Sequence, residues 1–345
     1  MSDRMVSQEF NPARSFGWLR FVTPVSMLRL ILVLGVGILL FAPTIFSSNS
    51  LQVLTQFLCL VTLALMWNLL AGYTDIISLG QHLFVGTGAY AFFGMVSLVG
   101  VNPFLAIPLA GLIAMISALP VMAVVFRLRA AYLAVGTWVV AEVFLLVAGR
   151  LPGFGLGTGI SMPLSAARAF GSGASERLAT IYMITLAISL SAYLLTWFLL
   201  RSRFGIGLTA VRDNEEAASA LGVDLIKTRM AAFLWTAPFT GMIGAITALQ
   251  KMRISPQASF SFLDWTVFVI FIVVVGGIGS LEGPIIGAII FILLREYLGD
   301  FGTWYLIALG AISIIVMLVE PKGLWGAVRR YLKADLISVS HRIDR

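Results

Sequence analysis

Residues 267–294 read VFVIFIVVVGGIGSLEGPIIGAIIFILL, and whether this stretch crosses a bilayer once or twice decides the architecture. Both ends are apolar, but Gly276, Gly277, Gly279, Ser280, Glu282, Gly283 and Pro284 break the middle. It reads either as one long kinked helix or as two helices with a turn between them. Around it, apolar runs long enough to span a hydrocarbon core of about 30 Å recur along the chain. They lie at approximately 28–46, 51–71, 82–100, 104–126, 132–149, 179–200, 230–250 and 303–319. Two crossings at 265–279 and 284–298 bring the total to about ten, and a single crossing brings it to nine. Charge decides between them. With ten spans, about 17 of the 23 Lys and Arg residues fall on one side. These include Arg127, Arg129, Arg201, Arg203, Lys322, Arg329, Arg330 and Lys333. The bias of basic residues toward the cytoplasm then predicts both termini inside, whereas nine spans would strand the basic tail outside.

Composition agrees with lipid as the solvent. The 345 residues are 59% hydrophobic and 11% charged, with a mean hydropathy of +0.99, outside the balance of a water-soluble domain. No room is left for a soluble catalytic domain. The net charge of +7 does not point to nucleic acid, because the basic residues are sorted into short loops rather than gathered on a face with interleaved aromatics. Cys59 stands alone in an apolar run, and His82 and His341 have no metal-ligating company. No Gly-x4-Gly-Lys-Ser/Thr loop occurs, so the chain is expected to bind no ATP and no other cofactor. Arg4, Arg14, Arg20 and Arg29 precede an apolar run that extends through Phe46 without a cleavage pattern, which predicts an uncleaved first span. Phe16, Trp18 and Phe21 fit either a lipid-interface segment or a loose tail. The expected organisation is an N-terminal cytoplasmic segment 1–27, an all-α polytopic region 28–319 and a C-terminal cytoplasmic tail 320–345.

Five spans in each half would make an inverted repeat, since an odd count reverses the second half. Ser78-Leu79 followed by Gly86 and Gly88 echoes Ser280-Leu281 followed by Gly287. Small residues at helix contacts would give the same echo.

The longest basic-side connection, 201–229, contains VRDNEEAASALGV at 211–223. Asp213 is placed to cap a helix whose third position is Glu216. Glu215 and Glu216 favour its positive end, and Gly222 suits a left-handed C-terminal residue. The expectation is an eight-residue helix, 214–221, opened by Asn214. So short a helix needs something to pack on, and Ala217, Ala218 and Leu221 offer a small apolar face, with a cytoplasmic partner as the natural candidate.

Glu216-Ala217-Ala218, followed after three residues by Gly222, resembles the first half of the EAA loop of ABC importer permeases, whose helix docks on the ATPase subunit. The second half departs: no Ile-x-Leu-Pro follows at the usual distance. Four further segments, NLLAGY at 68–73, SLGQHLFVGTGAY at 78–90, YLAVGT at 132–137 and GGIGSLEGPIIGA at 276–288, resemble the LivM-type permeases of branched-chain amino acid ABC importers, as does EPKGLWG at 320–326. The resemblance implies the ABC importer permease fold in a prokaryotic inner membrane. It also implies a second related permease, two ATPase subunits that hold the ATP, and an external solute-binding protein. His82 stands where many relatives carry a small residue, and Gly155-Leu-Gly-Thr-Gly159 is a loose version of the family's Thr-Gly-Gly loop. A urea or short-amide permease shares the framework. An ion-coupled secondary transporter is the rival from another class, and it would use ionisable coupling sites in the membrane.

Glycine-rich breaks at membrane depth are tolerated only when buried or lining a cavity. That makes Ser78, Gly80, Gln81, Gly86 and Gly88, and Gly276, Gly277, Gly279 and Ser280, candidate pathway residues, with close packing through small residues as the alternative for each glycine. Glu142, about 15 Å along a helix from Tyr132, must be protonated, partnered or wet at that depth. It fits either a structural hydrogen bond or a place on the solute route. His82 is expected near a cytoplasmic helix end in a structural role. The Gly- and Ser-rich connection 150–177 fits either a contact for the binding protein or a flexible loop.

Overall fold

The computed structural model describes residues 24–128 and 131–332. Phe16, Trp18, Phe21, Arg129, Lys333 and His341 lie outside the described residues.

A chain in hydrocarbon must pair its backbone groups internally, and helices do so within one segment. The described residues form α1 (Pro24–Ile45), α2 (Ser48–Thr74), α3 (Gln81–Gly94, extended by a π turn Met95–Val99), α4 (Pro103–Val125), α5 (Ala131–Ala148), α6 (Leu164–Arg168), α7 (Ala174–Arg201), α8 (Arg203–Asp213), α9 (Glu215–Ala220) and α10 (Leu225–Lys251). There follow α11 (Pro256–Ser259), a π turn Leu263–Val267, α12 (Phe268–Gly276), α13 (Gly283–Leu298), α14 (Thr303–Val319) and α15 (Gly323–Leu332). The only strands among the described residues, β1 (Ile160–Ser161) and β2 (Arg253–Ile254), pair antiparallel. Among the described residues eight spans are long and apolar enough to cross a membrane. Helix α13, with 16 residues, falls short of the usual span at about 24 Å.

The stretch 267–294 folds as two helices with a turn between them. The Phe291 ring of α13 packs on Phe268 and Phe271 of α12 at 4.9 and 5.9 Å. A Cβ on Gly287 would drive into the Ile272 carbonyl, and one on Gly276 into that of Gly283. Contacts that pair 268 with 291, 272 with 287 and 276 with 283 are those of an antiparallel hairpin, so the chain reverses; with α1 and the 16-residue α13 beside the eight longer spans, the described residues hold ten apolar helices.

The repeat is present, but its register differs from the echo read in the sequence. Helices α2 and α10 each hold 27 residues, and their starts, Ser48 and Leu225, and ends, Thr74 and Lys251, are separated by the same interval of 177 residues. Each is followed by a non-glycine residue in the left-handed region, Asp75 (φ 56°) and Met252 (φ 51°), a conformation uncommon outside glycine. The same interval carries Ser78 onto Ser255 and the end of α3 at Val99 onto the end of α12 at Gly276. Helix α3 packs on α4 and α5 as α12 packs on α13 and α14. The structural partner of Ser78 is therefore Ser255, not Ser280; the Ser-Leu echo reflects small residues at helix contacts. The halves are inverted: β2, after α10, pairs with β1 at one end of the bundle, whereas the end of α2 meets α8 at the other through Arg212 and Gly72.

After α2 ends, segment 75–80 climbs back along it. The Trp67 indole donates to the Ser78 carbonyl (2.8 Å) and the Gln81 amide to the Leu63 carbonyl (2.8 Å). Leu63 precedes the helix end by eleven residues, about 16 Å. Helix α3 therefore begins near the middle of the bilayer, and His82, expected at a cytoplasmic helix end, lies deep inside and fully buried.

Two connections are more ordered than composition suggests. In 150–177, β1 joins β2, Phe154 packs on Tyr90 (5.1 Å) and Phe170 on Phe104 (4.8 Å), so this stretch is a packed cover. The first part of the expected tail is helix α15, whose buried Trp325 and Gly323 seat against Gly277. Arg330 holds Glu320 at 2.6 Å.

Candidate functional site

At the α8–α9 end, Ser202 accepts from the Gly205 N–H (3.4 Å) and opens α8, a helix absent from the sequence reading. Because α8 continues through Asp213, the break in backbone conformation comes one residue later, at Asn214 (φ −161°, ψ 108°). Asn214, rather than Asp213, caps α9, accepting from the Ala217 N–H at 2.9 Å. The Asp213 carboxylate pairs instead with Arg212 (2.8 Å). The helix has six residues where eight were expected. Gly222, at φ +86°, closes it, with the Val223 N–H donating to the Ala218 carbonyl (3.0 Å) in the Schellman pattern.

The apolar face divides. Ala218 is buried against the chain itself, while Ala217, Glu216 and Leu221, 83% exposed, point away. Glu215 is tied to Arg229 at the start of α10 (2.5 Å). Asp224 caps α10 by accepting from the Lys227 N–H (3.0 Å). That bond, with the Lys227 ammonium, holds its carboxyl below the ordinary range. The two-turn unit is anchored on one side and offers Leu221, with Ile226 beside it, on the other.

Inward, the Arg212 guanidinium donates to the Gly72 carbonyl (3.0 Å) in the last turn of α2. Gly72 lies against the backbone of Gly279, and Asn68, one turn earlier, grips the same turn. Its amide donates to the Ser280 carbonyl (2.7 Å), and its oxygen accepts from the Gly279 N–H (2.8 Å). The Ser280 hydroxyl donates to the Gly277 carbonyl (2.8 Å) and accepts from the Gly283 N–H (3.1 Å), while Tyr193 donates to the Leu281 carbonyl (3.2 Å). The Gly277, Ser280 and Leu281 carbonyls and the Gly279 and Gly283 N–H groups of this turn are thus all paired. Gly276, Gly277 and Gly279 permit close approach there, to α13, to α15 and to α2 respectively.

Around the start of α3 the other candidates separate. Ser78 and Gln81, with Trp67, Thr236 and Thr240, line a cavity of about 10 Å³ between α2, α3 and α10, room for roughly one water. The Gln81 oxygen has no hydrogen-bond partner there. The space is far too small for an aliphatic amino acid, so this gap is closed. Gly80 packs on Thr137, whose hydroxyl accepts from the Leu79 N–H (3.0 Å). Gly86 lies under the Phe260 ring and Gly88 against Gly241 of α10, both as packing contacts. Glu142 sits on α5, of which only Thr137, Ala141 and Ala148 are buried. Its carboxylate accepts from the Trp138 indole (3.0 Å) within the same helix and stands 3.9 Å from His82. Among the described residues no group of three or more His, Cys, Asp or Glu is placed to hold a metal.

Arg212, Thr137, Thr236 and Thr240 were not singled out in the sequence. Asn68 carried a signal, as an amide in the otherwise apolar second half of α2, where burial demands partners.

The family model for the permease component of the branched-chain amino acid transport system matches residues 49–319. The chain is 28% identical over 313 residues to the high-affinity branched-chain amino acid transport system permease protein LivM of Salmonella typhimurium, covering 84% of this chain and 73% of that protein. The LivM protein of Escherichia coli gives the same figures. A probable branched-chain amino acid transport permease protein LivH of Methanocaldococcus jannaschii is 27% identical over 307 residues, covering 81% of this chain and 92% of that protein. No solved structure matches at a significant level.

Proposed function

The chain belongs to the family of permease components of the branched-chain amino acid transport system, and we propose that it is the subunit through which an ATP-driven importer moves branched-chain amino acids across a prokaryotic inner membrane. The observation that carries this reading is the family match over 49–319, which takes in every described span except α1. The basic residues of the α8–α9 end and of α15 favour a cytoplasmic face there, with both termini inside.

The chain shows no phosphate-binding loop, so energy enters through partners: two ATPase subunits on the cytoplasmic face, a second related permease beside it and a solute-binding protein outside. That relatives named LivM and LivH both match supports a paired permease. The exposed Leu221, Ala217 and Glu216 of α9 are the docking surface for an ATPase. A push on α9 reaches α8, where Arg212 passes it to Gly72, and through Asn68 to the 277–282 turn. Two halves joined at such a node move as rigid bodies between outward-open and inward-open packings.

The test is reconstitution of the chain with candidate ATPases, second permease and binding protein in proteoliposomes. ATP-dependent uptake of leucine, isoleucine and valine over urea is the expected result. Preferential uptake of urea, or uptake driven by an ion gradient without the ATPases, would overturn the assignment.

A further inference from the structure

We propose that Glu142, flanked by Trp138 and Phe262 and backed by His82, forms the subsite that receives the ammonium group of the transported amino acid. The inference rests on the amino acid reading above.

Glu142 lies eleven residues after Ala131 and six before Ala148, deep in its span, and its side chain is 42% exposed. A carboxylate facing hydrocarbon at that depth is costly, so this face of α5 meets protein or a wet route. Indole Nε1 of Trp138 occupies Oε1 at 3.0 Å, while Oε2 has no hydrogen bond among the described residues. The Trp138 ring stacks on Phe262 with centroids 5.1 Å apart, and aromatic faces attract cations. A free carboxylate oxygen beside this aromatic pair is the acceptor that an alkylammonium donor fits.

Behind it stands His82, buried, with Nε2 unpartnered and aimed at Glu142 across 3.9 Å. Its Nδ1 lies 3.0 Å from the Thr266 hydroxyl, which already accepts the His82 backbone N–H at 3.3 Å. The Leu79 backbone carbonyl also accepts from the ring, and with Nε2 unpartnered that places the ring proton on Nδ1.

Toward the β1–β2 end the same face of α5 continues through Val143, Leu146 and Val147 to Arg150, which line a shallow, open depression beyond Glu142. Carboxylate, apolar wall and guanidinium follow one another at helical spacing. They match the charges and side chain of an aliphatic zwitterion met in sequence, its carboxylate first at Arg150 and its ammonium later at Glu142.

The assembled importer carrying Glu142→Gln, Glu142→Asp or Glu142→Leu would be compared with the native complex for leucine moved per ATP hydrolysed and for retention of the second permease on purification. The expected result is a loss of about tenfold in leucine moved per ATP for Gln and Leu, with Asp well above both and the permease pair intact. Native transport by the Gln and Leu variants would overturn the subsite while leaving the amino acid reading standing. Loss of the second permease in step with uptake would also overturn it, making Glu142 a subunit contact. Failure of the native complex to move any amino acid would overturn both.

Discussion

Replacing Asn68 by Leu keeps the volume of a fully buried side chain and removes both of its hydrogen bonds, to the Ser280 carbonyl and from the Gly279 N–H. Each orphaned backbone group in a buried site costs about 1–3 kcal/mol. Polar contacts between membrane helices measure nearer 0.6–2 kcal/mol each, because the unfolded chain in lipid finds other partners. Two such losses come to about 1–4 kcal/mol, concentrated where α2, α8 and the 277–282 turn meet. Reversible unfolding of the purified protein in mixed micelles would read the stability, and hydrogen exchange at the Gly279 amide would read the local opening. We expect destabilisation within that range and faster exchange at Gly279, together with a greater loss of coupled uptake than of folded protein. Stability within about 0.5 kcal/mol of the native chain, with unchanged exchange, would refute the claim that this amide holds the turn.

Asn214→Ala should cost about 0.5–2 kcal/mol of local stability and speed exchange at the Ala217 amide, whereas Asp213→Ala should leave that amide protected; the reverse order would return the cap to Asp213. Leu221→Asp, at a largely exposed position, should change stability by no more than about 0.5 kcal/mol yet weaken co-purification with the ATPase subunits. Gly287→Leu should lower the folded yield several-fold by forcing α13 off the Ile272 carbonyl, while Gly299→Ala, with open space around it, should fold normally in the same fluorescence-detected chromatography. Because the folded Asp224 carboxyl is held below its ordinary value of 3.8, its cap on α10 is fully present above that pH and is lost as pH falls through the depressed value. Asp224→Asn should remove this acid-range dependence from exchange at the Lys227 amide.

Much of the α8–α9 end was legible in the sequence. Glu215, Glu216 and Gly222 announce a bounded helix, because capping chemistry is local and depends on residues within one turn. What escaped is that α8 runs through Asp213. Both Asp213 and Asn214 are competent caps, and only the preceding helix decides which one sits at the break. Gly86 and Gly88 fitted either a pathway wall or close helix packing, and they are packing contacts with Phe260 and Gly241. A glycine in a span is equally consistent with a gap and with a close neighbour, and the neighbour belongs to another helix.

By itself, the sequence determined the solvent, the recurrence of apolar helices and the inside–outside bias that its charges predict, since each follows from hydropathy and charge summed along the chain. Tertiary structure alone decided that segment 75–80 folds back to half depth, that Ser78 repeats as Ser255, and that Arg212, Asn68 and the 277–282 turn meet. Those facts depend on which carbonyl lies beside which donor, and residues 140 and more apart in the chain have no local signal by which to announce that they will touch.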